Sequence, residues 1–152
     1  MHKYLFFPLL LLLLTCLLTA CPSDDPKPTS DTIAKLKRSW KVAKVTQTGN
    51  PTPLYQNPLP AGQTITEDYS RYQLAITNET DYVIIQRDNS MRTGTWELAA
   101  NETKVVLDRG VTGQEMIIDL LELTEASLKI RFTEGSTKTG NRELLMELVP
   151  AQ

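Results

Sequence analysis

Hydrophobic and polar positions alternate along most of the chain. Tyr72, Leu74 and Ile76 are interleaved with Arg71, Gln73 and Thr77; Leu128, Ile130 and Phe132 with Lys129, Arg131 and Thr133; Leu144, Met146 and Leu148 with Glu143 and Glu147. Successive side chains of a strand point to opposite faces, so a period of two predicts strands with one dry and one wet face. Strands are expected at 40–48, 70–77, 81–87, 91–98, 103–108, 114–124, 127–133 and 142–149. Turn chemistry separates them: Asn78-Glu79, Asp88-Asn89-Ser90, Ala100-Asn101-Glu102, Arg109-Gly110 with Gly113, Glu125-Ala126, and the stretch from Gly135 to Asn141. Ahead of the first strand, Ser30 or Asp31 can cap a short helix whose Ile33, Leu36 and Trp40 fall at i, i+3 and i+7. Eight strands joined mostly by tight turns predict an all-β fold, an eight-stranded antiparallel up-and-down barrel, because closure removes the exposed edges of an open sheet.

The alternation also selects an inner face: Val42, Tyr72, Leu74, Ile76, Tyr82, Ile84, Trp96, Leu98, Val105, Leu107, Met116, Ile118, Leu128, Ile130, Phe132, Leu144, Met146 and Leu148. It is nearly all apolar. A barrel of eight strands is about wide enough to be filled by its own side chains or to hold one small ligand. One connection stands apart from the tight turns. Gly49 to Thr64 carries Pro51, Pro53, Pro58 and Pro60, which argue against regular structure there, together with Leu54, Tyr55 and Leu59, which argue that it packs on something.

The N-terminus has a different character. Lys3 precedes an almost unbroken apolar run from Tyr4 to Ala20, the layout of a secretory signal, and the run falls short of the roughly 20 residues that a spanning helix needs. An uncleaved anchor is the lesser alternative. The run ends in Leu18-Thr19-Ala20-Cys21, which resembles a bacterial lipobox, whereas Cys16 follows Thr15 and does not fit. By that resemblance 1–20 is a lipoprotein signal peptide and Cys21, the lipid-bearing first residue of the mature chain, anchors it to the outer membrane of a cell envelope. Residues 22–30, with three prolines and no large apolar side chain, read as a tether, and 31–152 as the barrel domain. Asp24 and Asp25 resemble a surface-export signal of Bacteroidetes lipoproteins; a merely soluble linker explains them equally well.

Composition narrows the chemistry. The chain has 152 residues, enough for one domain, and a formal net charge of −2, which offers nothing to nucleic acid. His2 is the sole histidine, and Cys16 and Cys21 are the two cysteines, so the mature chain lacks imidazole and free thiol. Thiol or histidine catalysis, zinc and haem lose their usual side chains, no Gly-rich phosphate loop or Asp-x-Asp-x-Asp run occurs, and no cofactor or catalytic residue is expected. Glu97, Asp108, Asp119 and Glu122 could supply paired carboxylates, but strand phase turns Glu97, Asp108 and Asp119 outward, toward a solvated face. Asp31-Thr32-Ile33 resembles a three-residue O-glycosylation motif of Bacteroidetes exported proteins, though helix capping accounts for the same residues.

A short helix, Trp40 opening the first strand, one long first loop, the strand Gly94-Thr95-Trp96-Glu97-Leu98, and the alternation from Asp119 to Thr133 together resemble the lipocalin-like lipoproteins of Bacteroidetes. The resemblance spans about 33–149. Lipocalins proper carry Gly two residues before the first-strand Trp, a place held here by Arg38. The resemblance implies a non-catalytic barrel whose loop at 50–63 lies over the open end. On that reading a small apolar ligand would sit beneath Leu54, Tyr55 and Leu59 and against Tyr72, Tyr82 and Trp96. The alternative is an interaction module with a filled core that displays its loops to an envelope protein or glycan, through aromatics around Tyr55 and Tyr69.

Overall fold

The computed structural model describes residues 30–135 and 140–152. The expected leader, Cys21 and residues 22–29 of the tether, Asp24 and Asp25 among them, lie outside the described residues. Helix α1 (Asp31–Leu36) precedes nine strands: β1 (Ser39–Gln47), β2 (Pro53–Gln56), β3 (Gln73–Ile76), β4 (Asp81–Ile85), β5 (Met91–Ala99), β6 (Lys104–Leu107), β7 (Met116–Leu123), β8 (Leu128–Glu134) and β9 (Arg142–Pro150). All pair antiparallel with their sequence neighbours from β3 to β9, and β9 returns to pair with β1 from Trp40 to Gln47. The other edge of β1 is divided. Ser39 to Lys41 pair with β3, and Lys44 to Thr46 pair with β2. Strands β1 and β3 to β9 therefore close an eight-stranded barrel, and β2 extends its wall where β3 leaves off.

Strand β2 corrects the expectation that prolines deny structure to the long connection. Pro53 occupies the first position of the strand, where its missing N–H disturbs the ladder least. Tyr55 pairs with Val45, so it points inward with it and is 4% exposed. Leu54 packs against the core, whereas Leu59 is exposed.

Every residue of the expected inner face is buried or packed against the core. Val45 joins it because the pairing of β1 with β9 shifts between Val42 and Lys44: the irregularity adds one residue and turns Val45, not Lys44, inward. Opposite charges line the outer face. Asp119 lies in register between Lys104 and Arg131 and binds both, at 3.0 and 2.8 Å, and Glu97 pairs with Arg109. Glu97 and Asp119 thus face outward as expected. Asp108 does not, and is 5% exposed.

The helix closes one end of the barrel. The Ser30 hydroxyl caps it by accepting from the Ile33 amide at 3.1 Å, and the buried Leu36 ends it. The Trp40 indole donates to the Leu36 carbonyl at 3.1 Å. Arg38, in the place of the lipocalin glycine, lies 5.4 Å over the Trp40 ring and donates to the Glu125 carbonyl at 2.7 Å. The turns at 77–80, 100–103 and 124–127 share this end. The connections at 48–72, 86–90 and 108–115 form the other, where β8 also ends and β9 begins.

Candidate functional site

At the loop end the inner face changes character. Strand alternation carried one step beyond Phe132 on β8 and Leu144 on β9 reaches Glu134 and Arg142, which pair across the two strands, and Arg142 donates to Glu134 through Nε at 2.8 Å. The long connection brings a second carboxylate: Arg142 also donates to Glu67 at 2.7 Å, and Arg87 from the β4–β5 turn pairs with Glu67 and lies 3.6 Å from Glu134. Tyr69 stands under these charges, 1% exposed, with the Arg87 guanidinium 4.7 Å over its ring and its hydroxyl donating to Glu67 at 3.3 Å. Two arginines and two glutamates thereby tie the long connection to β8, β9 and the β4–β5 turn. The hydrogen bond from Arg142 holds the Glu67 carboxyl below its ordinary range despite burial, and hydrogen bonding to Glu67 keeps Arg142 protonated.

A second polar cluster lies beside the first. The Asp108 carboxylate accepts from the Tyr82 hydroxyl at 2.7 Å, from Arg92 at 2.8 Å and from the Thr95 amide at 3.0 Å. Burial alone would raise its pKa, but these donors outweigh it and the carboxyl stays below its ordinary range. Burial and the bond to Asp108 push the Tyr82 hydroxyl up to about 12. Alternation had placed Asp108 outside. It lies one residue beyond the end of β6 with φ at +49°, a left-handed conformation that Asp tolerates, and that turn returns its side chain over Gly94 of β5.

The six positions singled out for a ligand do not form one pocket wall. Tyr55 and Tyr72 flank Tyr69 at ring distances of 6.1 and 6.3 Å near the loop end, Tyr82 is engaged with Asp108, and the Trp96 indole donates to the Asn78 carbonyl at 3.0 Å toward the helix end. Leu54 packs against the core and Leu59 faces solvent. Sequence reasoning missed Glu67, Arg87, Arg92, Glu134 and Arg142. For Glu134 and Arg142 the signal was present, since each continues an inward phase by one step.

Between these groups a cleft of about 370 Å³ opens at the barrel mouth, lined by Tyr72, Gln86, Arg87, Asp88 and Glu134. Below it the barrel is packed: Val45, Leu107, Leu144 and Met146 are 0% exposed, and Leu128, Ile130 and Leu148 are 1% exposed. A chamber large enough for a lipid would leave its lining accessible to a water-sized sphere even when sealed from bulk solvent. These side chains fill the space instead. Among the described residues, no three histidine, cysteine or carboxylate side chains converge as a metal would require, and no helix is long and apolar enough to cross a membrane.

No protein-family model matches the sequence, and no curated protein matches it. Among solved structures, the chain is similar to a lipocalin-like protein from Bacteroides uniformis, with 8% identity over 74% of this chain and 97% of that one and a TM-score of 0.41. It is also similar to bovine odorant binding protein complexed with its natural ligand, with 15% identity over 83% of this chain and 77% of that one and a TM-score of 0.46. Strand pairing and closure, rather than these likenesses, define the fold.

Proposed function

We propose that the protein is a non-catalytic lipoprotein of the cell envelope, held to the outer membrane by lipid on Cys21, that presents the loop end of a filled barrel to a partner. The packing of the inward side chains carries this reading, because it favours recognition at the rim over carriage of an apolar molecule inside. An apolar ligand within the barrel would have to displace Tyr69 and the charges of Glu67, Arg142 and Glu134 above it, at the cost of exposing or unpairing them.

The place of Ser30, where the tether would join the domain, supports the same reading. Ser30 caps the helix at the helix end, and the nine residues 22–30, rich in proline, would reach roughly 25 Å. A lipid on Cys21 then leaves the loop end facing away from the bilayer, toward an envelope protein or glycan. Two or three acyl chains hold firmly where one gives marginal binding.

Two measurements test this. Metabolic labelling with a fatty acid is expected to mark the wild type and not Cys21→Ser; label on the variant would remove the anchor. Photoreactive residues placed at Asn89 on the loop end and at Asn101 on the helix end report which end meets a partner in intact cells. Adducts are expected from Asn89, and adducts from Asn101 alone would contradict presentation of the loop end.

A further inference from the structure

Two side chains in the cleft at the barrel mouth have polar groups with no hydrogen bond among the described residues. They are Tyr72 and Gln86. The Tyr72 ring is fixed by its neighbours, 6.3 Å from Tyr69 and packed against the core, and its hydroxyl lies deep enough for burial to raise its pKa. Every sealed side-chain nitrogen and oxygen among the described residues has a partner, so the unpaired Tyr72 hydroxyl must be reached through the cleft that Tyr72 lines. A rigidly held polar group at the foot of an opening is the arrangement that orients a small ligand.

The lining indicates what class of ligand fits. Arg87 brings a positive charge, and Asp88 and Glu134 bring negative ones, so an ion of either sign meets a like charge on one wall, and an apolar molecule would strip water from all three. A neutral molecule avoids both costs. The Tyr72 hydroxyl and the Gln86 amide can each donate and accept, the carboxylates can accept more than their present bonds, and an alcohol also both donates and accepts. The geometry points to a binding site for a neutral sugar residue in the cleft formed by Tyr72, Gln86, Arg87, Asp88 and Glu134. This inference rests on the reading that the loop end is the presented surface, and names the chemistry it would recognise. A free monosaccharide and the terminal residue of a glycan present the same ring.

The test is saturation-transfer difference NMR on the full lipidated protein in nanodiscs, with empty nanodiscs as the reference and glucose, galactose, N-acetylglucosamine, maltotriose and glycine as probes. At least one sugar is expected to receive saturation from the protein, and glycine none. Tyr72→Phe is expected to weaken that sugar about tenfold, the effect of one lost hydrogen bond. The same substitution should leave thermal unfolding unchanged, since the hydroxyl has no partner to lose among the described residues. Gln86→Ala, at an exposed turn, should weaken binding without changing stability. Tighter binding of maltotriose than of glucose would identify a glycan end as the source, and equal binding a free sugar. Saturation of no sugar, saturation of glycine in preference, or sugar binding indifferent to both substitutions would each overturn the inference. The reading beneath it fails by a separate result, cross-links from the helix end alone.

Discussion

A Cβ placed on Gly94 would lie 1.9 Å from Oδ1 of Asp108. Gly94 pairs with Tyr82 across β4 and β5, so the bare backbone at Gly94 makes room for the carboxylate that receives the Tyr82 hydroxyl. Gly94→Ala must drive Asp108 from its three donors, and chemical denaturation is expected to show a loss of about 2–4 kcal/mol, from overpacking together with unpaired buried groups. Asp108→Asn keeps the shape and an acceptor, and should cost less. Equal stability of Gly94→Ala and wild type would remove this account of the cluster.

The ties around Glu67 should weaken in acid. Its folded pKa is depressed below 4.5 by the hydrogen bond from Arg142, so its contribution is complete above the unfolded value and is lost as pH falls through the folded one. Denaturant midpoints measured from neutral pH downward should show Glu67→Gln less stable than wild type by about 1–2 kcal/mol above pH ~4.5, with the difference shrinking below it. A constant difference at every pH would mean that the carboxylate charge is irrelevant.

Alkali probes the tyrosines. Tyr55, Tyr69, Tyr72 and Tyr82 are all raised above 10, each chiefly by burial, with Tyr82 at about 12. The resulting stability is full below 10, where unfolded tyrosine stays neutral, and declines as pH rises through the folded values. The contribution of these four tyrosines to absorbance near 295 nm should therefore stay flat around pH 10 and rise later, together with unfolding. Release of tyrosinate near pH 10 from a folded domain would show that burial does not hold these hydroxyls neutral.

How much of this was legible depends on how far side-chain parity holds. Leu128, Ile130 and Phe132, or Leu144, Met146 and Leu148, face inward in the structure as their alternation says, and all eight expected strands form. Parity misleads where the backbone departs from regular pleating. The irregular pairing after Val42 turns Val45 inward, and the positive φ of Asp108 swings its carboxylate back over Gly94. Tyr55 was obscured for another reason, because the surrounding prolines hide a short strand in which only the first position is proline. Glu67 was beyond reach, since the partners that hold it, Arg142 and Arg87, are distant in the chain.

The central claim is that the barrel is filled and recognition belongs to its rim. Methyl NMR of the protein, titrated with palmitate and with cholesterol, tests it directly. The inward methyls of Ile84, Ile118, Ile130 and Met146 are expected to keep their shifts, with any weak response confined to the exposed Ile65, Met91 and Ile117. Saturable shifts at Ile130 and Met146 would show an apolar ligand entering the barrel and would contradict the account.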